Sequence, residues 1–318
     1  MALLDVRDVE TVIVRDGGVA HAVDRVSFTL EPGRVLGLVG ESGCGKSMTA
    51  LTLMRLVPPA ARIVGGEVRF DGQDLLALPE RAMRHVRGAG LGMVFQEPMT
   101  SLNPVFTVGN QIAEAVRLHS DLGRADAWAR AVELLHEVGI PAPERRARDY
   151  PHQLSGGMRQ RVMIAIAISC APKVLIADEP TTALDVTIQA EILDLLRALR
   201  ERRGMALLLI THDLGIVAEH ADDVAIMYAG RIVEYAPVLD VFDHPKHPYT
   251  QALFRAMPGV GGRHERLEAI PGQVPDLAHL PSGCAFRDRC LQAIAECADA
   301  VPPLETKAPG QCAACIRA

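Results

Sequence analysis

The sequence predicts a parallel α/β protein that carries a small antiparallel sheet and a Cys-rich C-terminal appendage. Three observations lead there. From residue 155 to 230, helical and strand patterns alternate, as they do when crossover helices cover a parallel sheet. Ahead of that core, residues 3–30 alternate with a period near two, the spacing of half-buried strands. After about residue 257 the texture changes to Pro and Gly, and the last 35 residues hold five of the seven cysteines.

In chain order, LLDVRDVETVIV and HAVDRVSFTL read as antiparallel strands joined at a Gly-Gly turn, 17–18. RVLGLVG (34–40) is a buried strand running into a glycine-rich loop, with a helix expected from about Ser47. GEVRFDGQDLL (66–76) gives a strand, an Asp-Gly turn and a further strand or helix start. VGNQIAEAVRLH and ADAWARAVELLHEVGI, within 107–140, have helical spacing. A helix over 158–170, the strand KVLIAD, a helix TIQAEILDLLRALRERRG, the strand ALLLITH, a helix and the strand VAIMYAG follow. Beyond about 257 the Pro/Gly-rich MPGVGG and PGQVPDLAHLPSG place a boundary near 258. No internal repeat is visible.

Composition excludes several classes. Aromatics make up 4% of the chain, so the core is built mainly of Leu, Val, Ile and Ala. A formal charge of −6 exerts no general pull on nucleic acid or anionic lipid. RRAR (145–148) and RERR (200–203) read as solvated helix faces. MALLDVRDVE lacks a basic start and a long apolar run, so no secretory signal is expected. VMIAIAISCA (162–171) is about half the ~20 residues that a membrane-spanning helix needs. The expectation is a cytosolic protein with reduced thiols.

GESGCGKS (40–47) fits G-x-x-x-x-G-K-[ST], with a strand before it and a helix after it. Gly40, Glu41, Ser42, Gly43, Cys44, Gly45, Lys46, Ser47 and Met48 would then surround a nucleotide phosphate chain. Glycines let consecutive N–H groups face a polyanion at a helix N-terminus. Lys46 supplies charge to the β and γ phosphates, and Ser47 reaches Mg²⁺. The helix terminus should lower the pKa of Cys44, although a filler role suits it better. KVLIADEP (173–180) ends a strand in two acids: Asp178 to hold Mg²⁺ through water, Glu179 to act as general base. ITHD (210–213) repeats that arrangement, with His212 toward the γ phosphate.

With LSGGMRQR (154–161) added, the set resembles the ATPase subunits of ATP-binding cassette transporters over about residues 1–257. The resemblance implies a P-loop ATPase domain with a parallel α/β core, an antiparallel β subdomain and a helical subdomain at about 97–160. LSGGM is similar to the family's signature loop, Ser155, Gly156 and Gly157 opening a helix that presents a second anion-binding terminus. Two subunits would pair head to tail, each signature loop closing over the other's ATP. VFQEP resembles the Q-loop, which makes Gln96 a sensor of Mg²⁺ and of the membrane partner; ALD resembles the D-loop, with Asp185 at the dimer interface. The implied catalytic set is Glu179, His212 and Gln96, with Ser47, Gln96 and Asp178 about Mg²⁺. One departure stands out: family members stack an aromatic on adenine near the end of the first strand, where this chain has Ile13, with Val19 and His21 nearby. The expected consequence is weaker or less selective binding of the base.

MVFQEPMTSLNPVFTVGNQIAE (93–114), HPKHPYTQALF (244–254), IPGQVPDL (270–277) and the cysteine tail resemble the oligopeptide/dipeptide importer branch. That resemblance implies a subunit at the cytoplasmic face of the cell membrane that powers import of di- or oligopeptides, or of nickel or another small solute. Its implied partners are two permease subunits, a related but different ATPase chain and an extracytoplasmic solute-binding protein. The rival class, a cassette ATPase acting on DNA or ribosomes, calls for coiled-coil insertions, tandem cassettes or basic patches, and none is visible. A purely redox-sensing role is a third reading.

Cys284, Cys290, Cys297, Cys312 and Cys315 crowd a segment with little apolar content, which suggests a staple. Cytosolic thiols disfavour disulfides. Four thiolates suit Zn²⁺ or an iron–sulfur cluster, and only C-A-A-C at 312–315 has zinc-like spacing. The wider spacings favour [4Fe–4S] over zinc, with unligated small buried residues as the remaining reading. Some members of the resembling group bind such a cluster. The ligands expected are Cys284, Cys290, Cys297 and Cys315, with Cys312 as the alternative fourth.

Overall fold

The computed structural model describes residues 2–15, 18–257 and 269–318. The chain divides into two compact units, one of residues 1–30, 35–76 and 211–318, the other of 31–34 and 77–210. Gly17, in the expected Gly-Gly turn, and the expected boundary near 258 lie outside the described residues.

In the first unit, strand Leu4–Arg15 sits between Gly18–Leu30 and Ala61–Phe70 in an antiparallel sheet, with Gln73–Asp74 at its edge. Leu4 faces Leu30 on one side and Phe70 on the other, and Val6 faces Phe28 and Val68. These cross-strand apolar pairs bury one face of the sheet. The Asp-Gly turn falls as expected: Asp71 and Gly72 take φ of 51° and 80°, the left-handed pair that suits a two-residue hairpin.

The same unit contains Val35–Val39, parallel to Asp223–Tyr228 with Leu38 opposite Ala225. Antiparallel to that lie Arg231–Pro237, then Gln311–Ala313 and Glu305–Ala308. The last three strands are absent from the sequence reading: two of them, of three and four residues, belong to a tail without a clear period. Their closure depends on Glu234, which is fully buried. Its carboxyl oxygens accept the backbone N–H groups of Lys246 and His247 at 2.7 and 2.8 Å, and the Gln311 amide at 2.9 Å. One side chain thus fixes HPKHP and the tail hairpin together. His247 caps helix Pro248–Arg255 by accepting the Tyr249 N–H at Nδ1, 3.0 Å. Burial lowers its pKa to about 4, which keeps that nitrogen an acceptor at neutral pH.

In the second unit, Leu91–Val94, Val174–Asp178 and Ala206–Thr211 run parallel, with Met93 opposite Ile176 and Ala177 opposite Leu209. Every residue of these strands is buried, hence their continuous apolar runs. Helices Val108–Leu118 and Arg124–Glu137 match the expected pair, and Gly156–Ile168 and Val186–Arg203 the expected crossover helices. Gly204 ends the last of these at φ 64°, the left-handed C-terminal signal. Arg203 donates to both Glu137 oxygens, at 3.0 and 2.6 Å, and to Ile168 O at 2.8 Å, joining three helices.

Candidate functional site

In the first unit, the buried strand Val35–Val39 delivers the chain to Gly40, and helix Lys46–Leu53 leaves the loop. A Cβ on Gly40 would lie 2.2 Å from Met227 O, and one on Gly45 (φ +110°) 2.2 Å from Ala22 O. Backbone packs against backbone at both points, so only glycine fits. Lys46 is 4% exposed, and its Nζ donates to Gly40 O at 2.7 Å and Glu41 O at 3.1 Å. The ammonium thus lies inside a ring of its own loop, which is where a phosphate oxygen would compete for it. Ser47 stands in the first turn of the helix, followed by Met48. Thr11 Oγ1 meets Thr52 Oγ1 at 2.8 Å and ties this helix to the antiparallel sheet.

Cys44 departs from expectation. It is fully buried, and burial raises its thiol pKa despite the nearby Lys46 charge. The helix-terminus argument failed because loss of water outweighs it. Cys44 packs as a filler against Gly40. Where the resemblance would place adenine, Ile13 is half-buried opposite Ala20, while Val14 and Val19 form a cross-strand pair, 51% and 49% exposed. His21 Nδ1 is buried without a hydrogen-bond partner. His212 lies in this unit too, exposed, just ahead of helix Leu214–His220, whose first turn Asp213 caps.

In the second unit, strand Val174–Asp178 ends at Asp178, 4% exposed. Glu179 then turns out of the strand at φ 44°. Such a conformation costs a residue with a side chain about 1–3 kcal/mol. Its N–H donates to Ile210 O at 2.9 Å, on the neighbouring strand. Its Oε2 accepts from Gln96 Nε2 at 3.0 Å and from Thr182 Oγ1 at 2.8 Å. The structure therefore joins Gln96 to Glu179, which are 83 positions apart. It adds Thr182, which the sequence reading missed; a hydroxyl three residues beyond the acid was the available signal.

Ser155 caps helix Gly156–Ile168 by accepting the Met158 N–H at 3.3 Å. A Cβ on Gly157 would stand 2.8 Å from Ile188 Cγ2, and one on Gly156 3.6 Å from Leu184 Cδ2. Asp185 in turn caps the Ile188 N–H at 3.0 Å. The two small residues thus let the SGG turn pack directly on the ALD turn. The phosphate loop and His212 belong to the first unit; Gln96, Asp178, Glu179, Ser155, Gly156 and Gly157 belong to the second. Within the first unit, the loop N–H groups, the Lys46 ammonium and the Ser47 hydroxyl are donors of the kind that a nucleotide phosphate chain requires.

In the tail, Cys284 N–H donates to Cys297 O at 2.8 Å. Gly283 (φ +67°) allows that approach, since a Cβ there would lie 2.2 Å from Cys297 O. Burial first, and then Cys297, Cys315 and Cys290, raise the Cys284 thiol pKa; Cys290 is raised by burial and by Cys315 and Cys297. These four sulfurs are therefore electrostatic neighbours. Cys312 lies on the hairpin, its Sγ 3.7 Å from Thr306 Oγ1. Among the described residues, only Glu10, His21 and Asp24 bring three potential metal-binding atoms within 4.8 Å of one another. No three cysteine sulfurs do, and a single zinc at Zn–S of about 2.3 Å would require it.

The family model for ABC transporters matches residues 23–182, and the model for the oligopeptide/dipeptide transporter C-terminal region matches residues 233–297. A Sinorhizobium fredii protein, named as a probable peptide ABC transporter ATP-binding protein, is 55% identical over 99% of this chain and 95% of its own. A Brucella melitensis protein, named for peptide import and ATP binding, is 52% identical over 99% and 97%. Among solved structures, a dimeric ATP-binding cassette in a post-hydrolysis state with ADP and Pi superposes with a TM-score of 0.67 at 26% identity, covering 74% of this chain and 98% of that one. CbiO1 from Clostridium perfringens, part of an ABC transporter complex, gives 0.65 at 27% identity, covering 76% and 91%.

Proposed function

We propose that this chain, which belongs to the ABC transporter family, is the ATP-hydrolysing subunit that powers import of di- or oligopeptides, or a related small solute, through a membrane permease. The observation that carries this is the Glu179 carboxylate, held by Gln96 and Thr182 in a chain whose relatives over nearly its full length are named for peptide transport or import. ATP is the substrate and Mg²⁺ its counter-ion, which offsets charge on the phosphates; Ser47, Asp178 and Gln96 would hold it. Lys46 and the loop N–H groups bind the phosphates. Glu179 takes a proton from the attacking water, Gln96 and Thr182 holding its carboxylate at Oε2. His212 meets the γ phosphate.

Ser155, Gly156 and Gly157 form a second anion-binding helix terminus in the same chain, which the family resemblance assigns to a partner's nucleotide. A head-to-tail pair with a second ATPase follows, and the second chain is a related but different cassette. Asp185 lies at that interface. The subunit acts with membrane permeases, and a solute-binding protein delivers the cargo to them. Among the described residues, no helix is long and apolar enough to cross a membrane, so attachment is peripheral and runs through the permease. Met99, Val105 and Phe106 are 61%, 70% and 51% exposed. A groove of about 580 Å³ lined by Phe106, Gln111, Arg117 and Trp128 lies in the same unit. Together these suit an amphipathic permease segment. Residues 1–257 form the nucleotide-binding body, with a helical subdomain at about 97–160, and 258–318 form the appended tail. The test is uptake of a labelled dipeptide by vesicles holding the permease, this chain and its partner ATPase, with the solute-binding protein supplied. ATP-dependent uptake, with the chain sedimenting on permease-containing membranes alone, is expected; a chain that stays in the supernatant would overturn the reading.

We further propose that Cys284, Cys290, Cys297 and Cys315 hold a [4Fe–4S] cluster that clips the tail. Its support is their mutual electrostatic reach, at separations wider than a single zinc would take. Anaerobically purified protein should contain about four irons and four acid-labile sulfides per chain. Cys315→Ser should lose them and Cys312→Ser retain them. One zinc, or no metal, would refute the cluster and leave the ATPase reading intact.

A further inference from the structure

We propose that Arg289, in the Cys-rich tail, is a positioning residue of the phosphate loop and acts through Glu41. Glu41 is the second residue of GESGCGKS, so it brings a negative charge into a loop that must receive a polyanion. Its carboxylate is met by both guanidinium ends of Arg289: Nη1 donates to Oε2 at 2.7 Å and Nη2 to Oε1 at 3.0 Å. The Arg289 side chain is 5% exposed and that of Glu41 28%. This is a bidentate, largely dry pair, unlike the exposed pairs elsewhere on the surface.

Arg289 is itself fixed on two sides. Its Nε donates to Pro271 O at 2.8 Å, and its Nη1 to Tyr228 Oη at 3.4 Å. The guanidinium carbon lies 5.8 Å from the Tyr228 ring centroid and 6.0 Å from that of Phe286. Glu41 is equally constrained: its N–H donates to Tyr249 Oη at 3.0 Å and its carbonyl accepts from Lys46 Nζ at 3.1 Å. Tyr228, Tyr249 and Phe286 pack on one another, with centroids 4.6–5.3 Å apart. The geometry has two effects on nucleotide binding. It neutralises the carboxylate nearest the phosphate-binding backbone, and it holds that backbone open in the shape the glycines permit. The tail is therefore part of the nucleotide site and not only an appendage.

Calorimetric titration of full-length protein with ATP tests this. Arg289→Ala should raise the Kd for ATP on the order of tenfold, or 1.4 kcal/mol. Arg289→Lys should recover part of the loss, because it restores the charge without the two-pronged geometry. In the Arg289→Ala/Glu41→Gln double variant no carboxylate is left unpaired, and affinity should return toward wild type. A tail that merely docks on Glu41 predicts a lower melting temperature with an unchanged Kd. That result, or a double variant no better than Arg289→Ala alone, would overturn the proposal. If Arg289→Ala does not fold, Arg289→Lys carries the test: a Kd raised about threefold supports it, and an unchanged Kd refutes it.

Discussion

Replacing Glu179 by glutamine will leave ATP binding within about twofold of wild type and slow hydrolysis by a factor of about 10²–10⁴, the usual contribution of a general base. The phosphate loop and Lys46 lie outside the change, so ground-state affinity persists. Glutamine keeps the volume and can still accept from Gln96 and Thr182, so the turn at φ 44° has no new reason to move. What is lost is the ability to take a proton from water. Steady-state hydrolysis by the assembled transporter measures it, beside ATP titration of the same preparation. Normal turnover would remove Glu179 from the central position. A parallel loss of binding would mean that the substitution disturbed the fold instead.

The second large effect is on stability. Glu234→Gln should destabilise the protein by about 2–4 kcal/mol, seen as a lower urea midpoint with little change in slope. Glu234 is fully buried and its three partners are all N–H donors. An amide can satisfy Lys246 N–H and Gln311 with its oxygen, but its NH₂ then faces the His247 N–H. One buried donor is left orphaned, at about 1–3 kcal/mol, and the remaining bonds lose their charge assistance. An unchanged midpoint would show that the hairpin Glu305–Ala308/Gln311–Ala313 is held by its backbone ladder and apolar contacts alone.

The chemistry of phosphate binding was legible in the chain because it is local. GESGCGKS, KVLIADEP and LSGGM each place their functional groups within one turn and its flanking element, so spacing alone conveys the geometry. The parallel strands were legible for a similar reason: burial on both faces writes a continuous apolar run. The tail strands were not, because three or four residues carry no readable period, and their stability comes from Glu234, some 77 positions before Gln311.

The sequence by itself determined the fold class, the nucleotide loop, the acid pair at the strand end and the branch of the family. Only the tertiary structure decided that Gln96 and Thr182 share one oxygen of Glu179. It alone brought Cys290, Cys297 and Cys315 within electrostatic reach of Cys284, left Cys44 inert by burial, and set Arg289 against Glu41 across 248 positions. The physical reason is common to all four. A backbone anion site is made by neighbours in sequence, whereas desolvation and the pairing of side chains depend on which surfaces meet once the chain has folded.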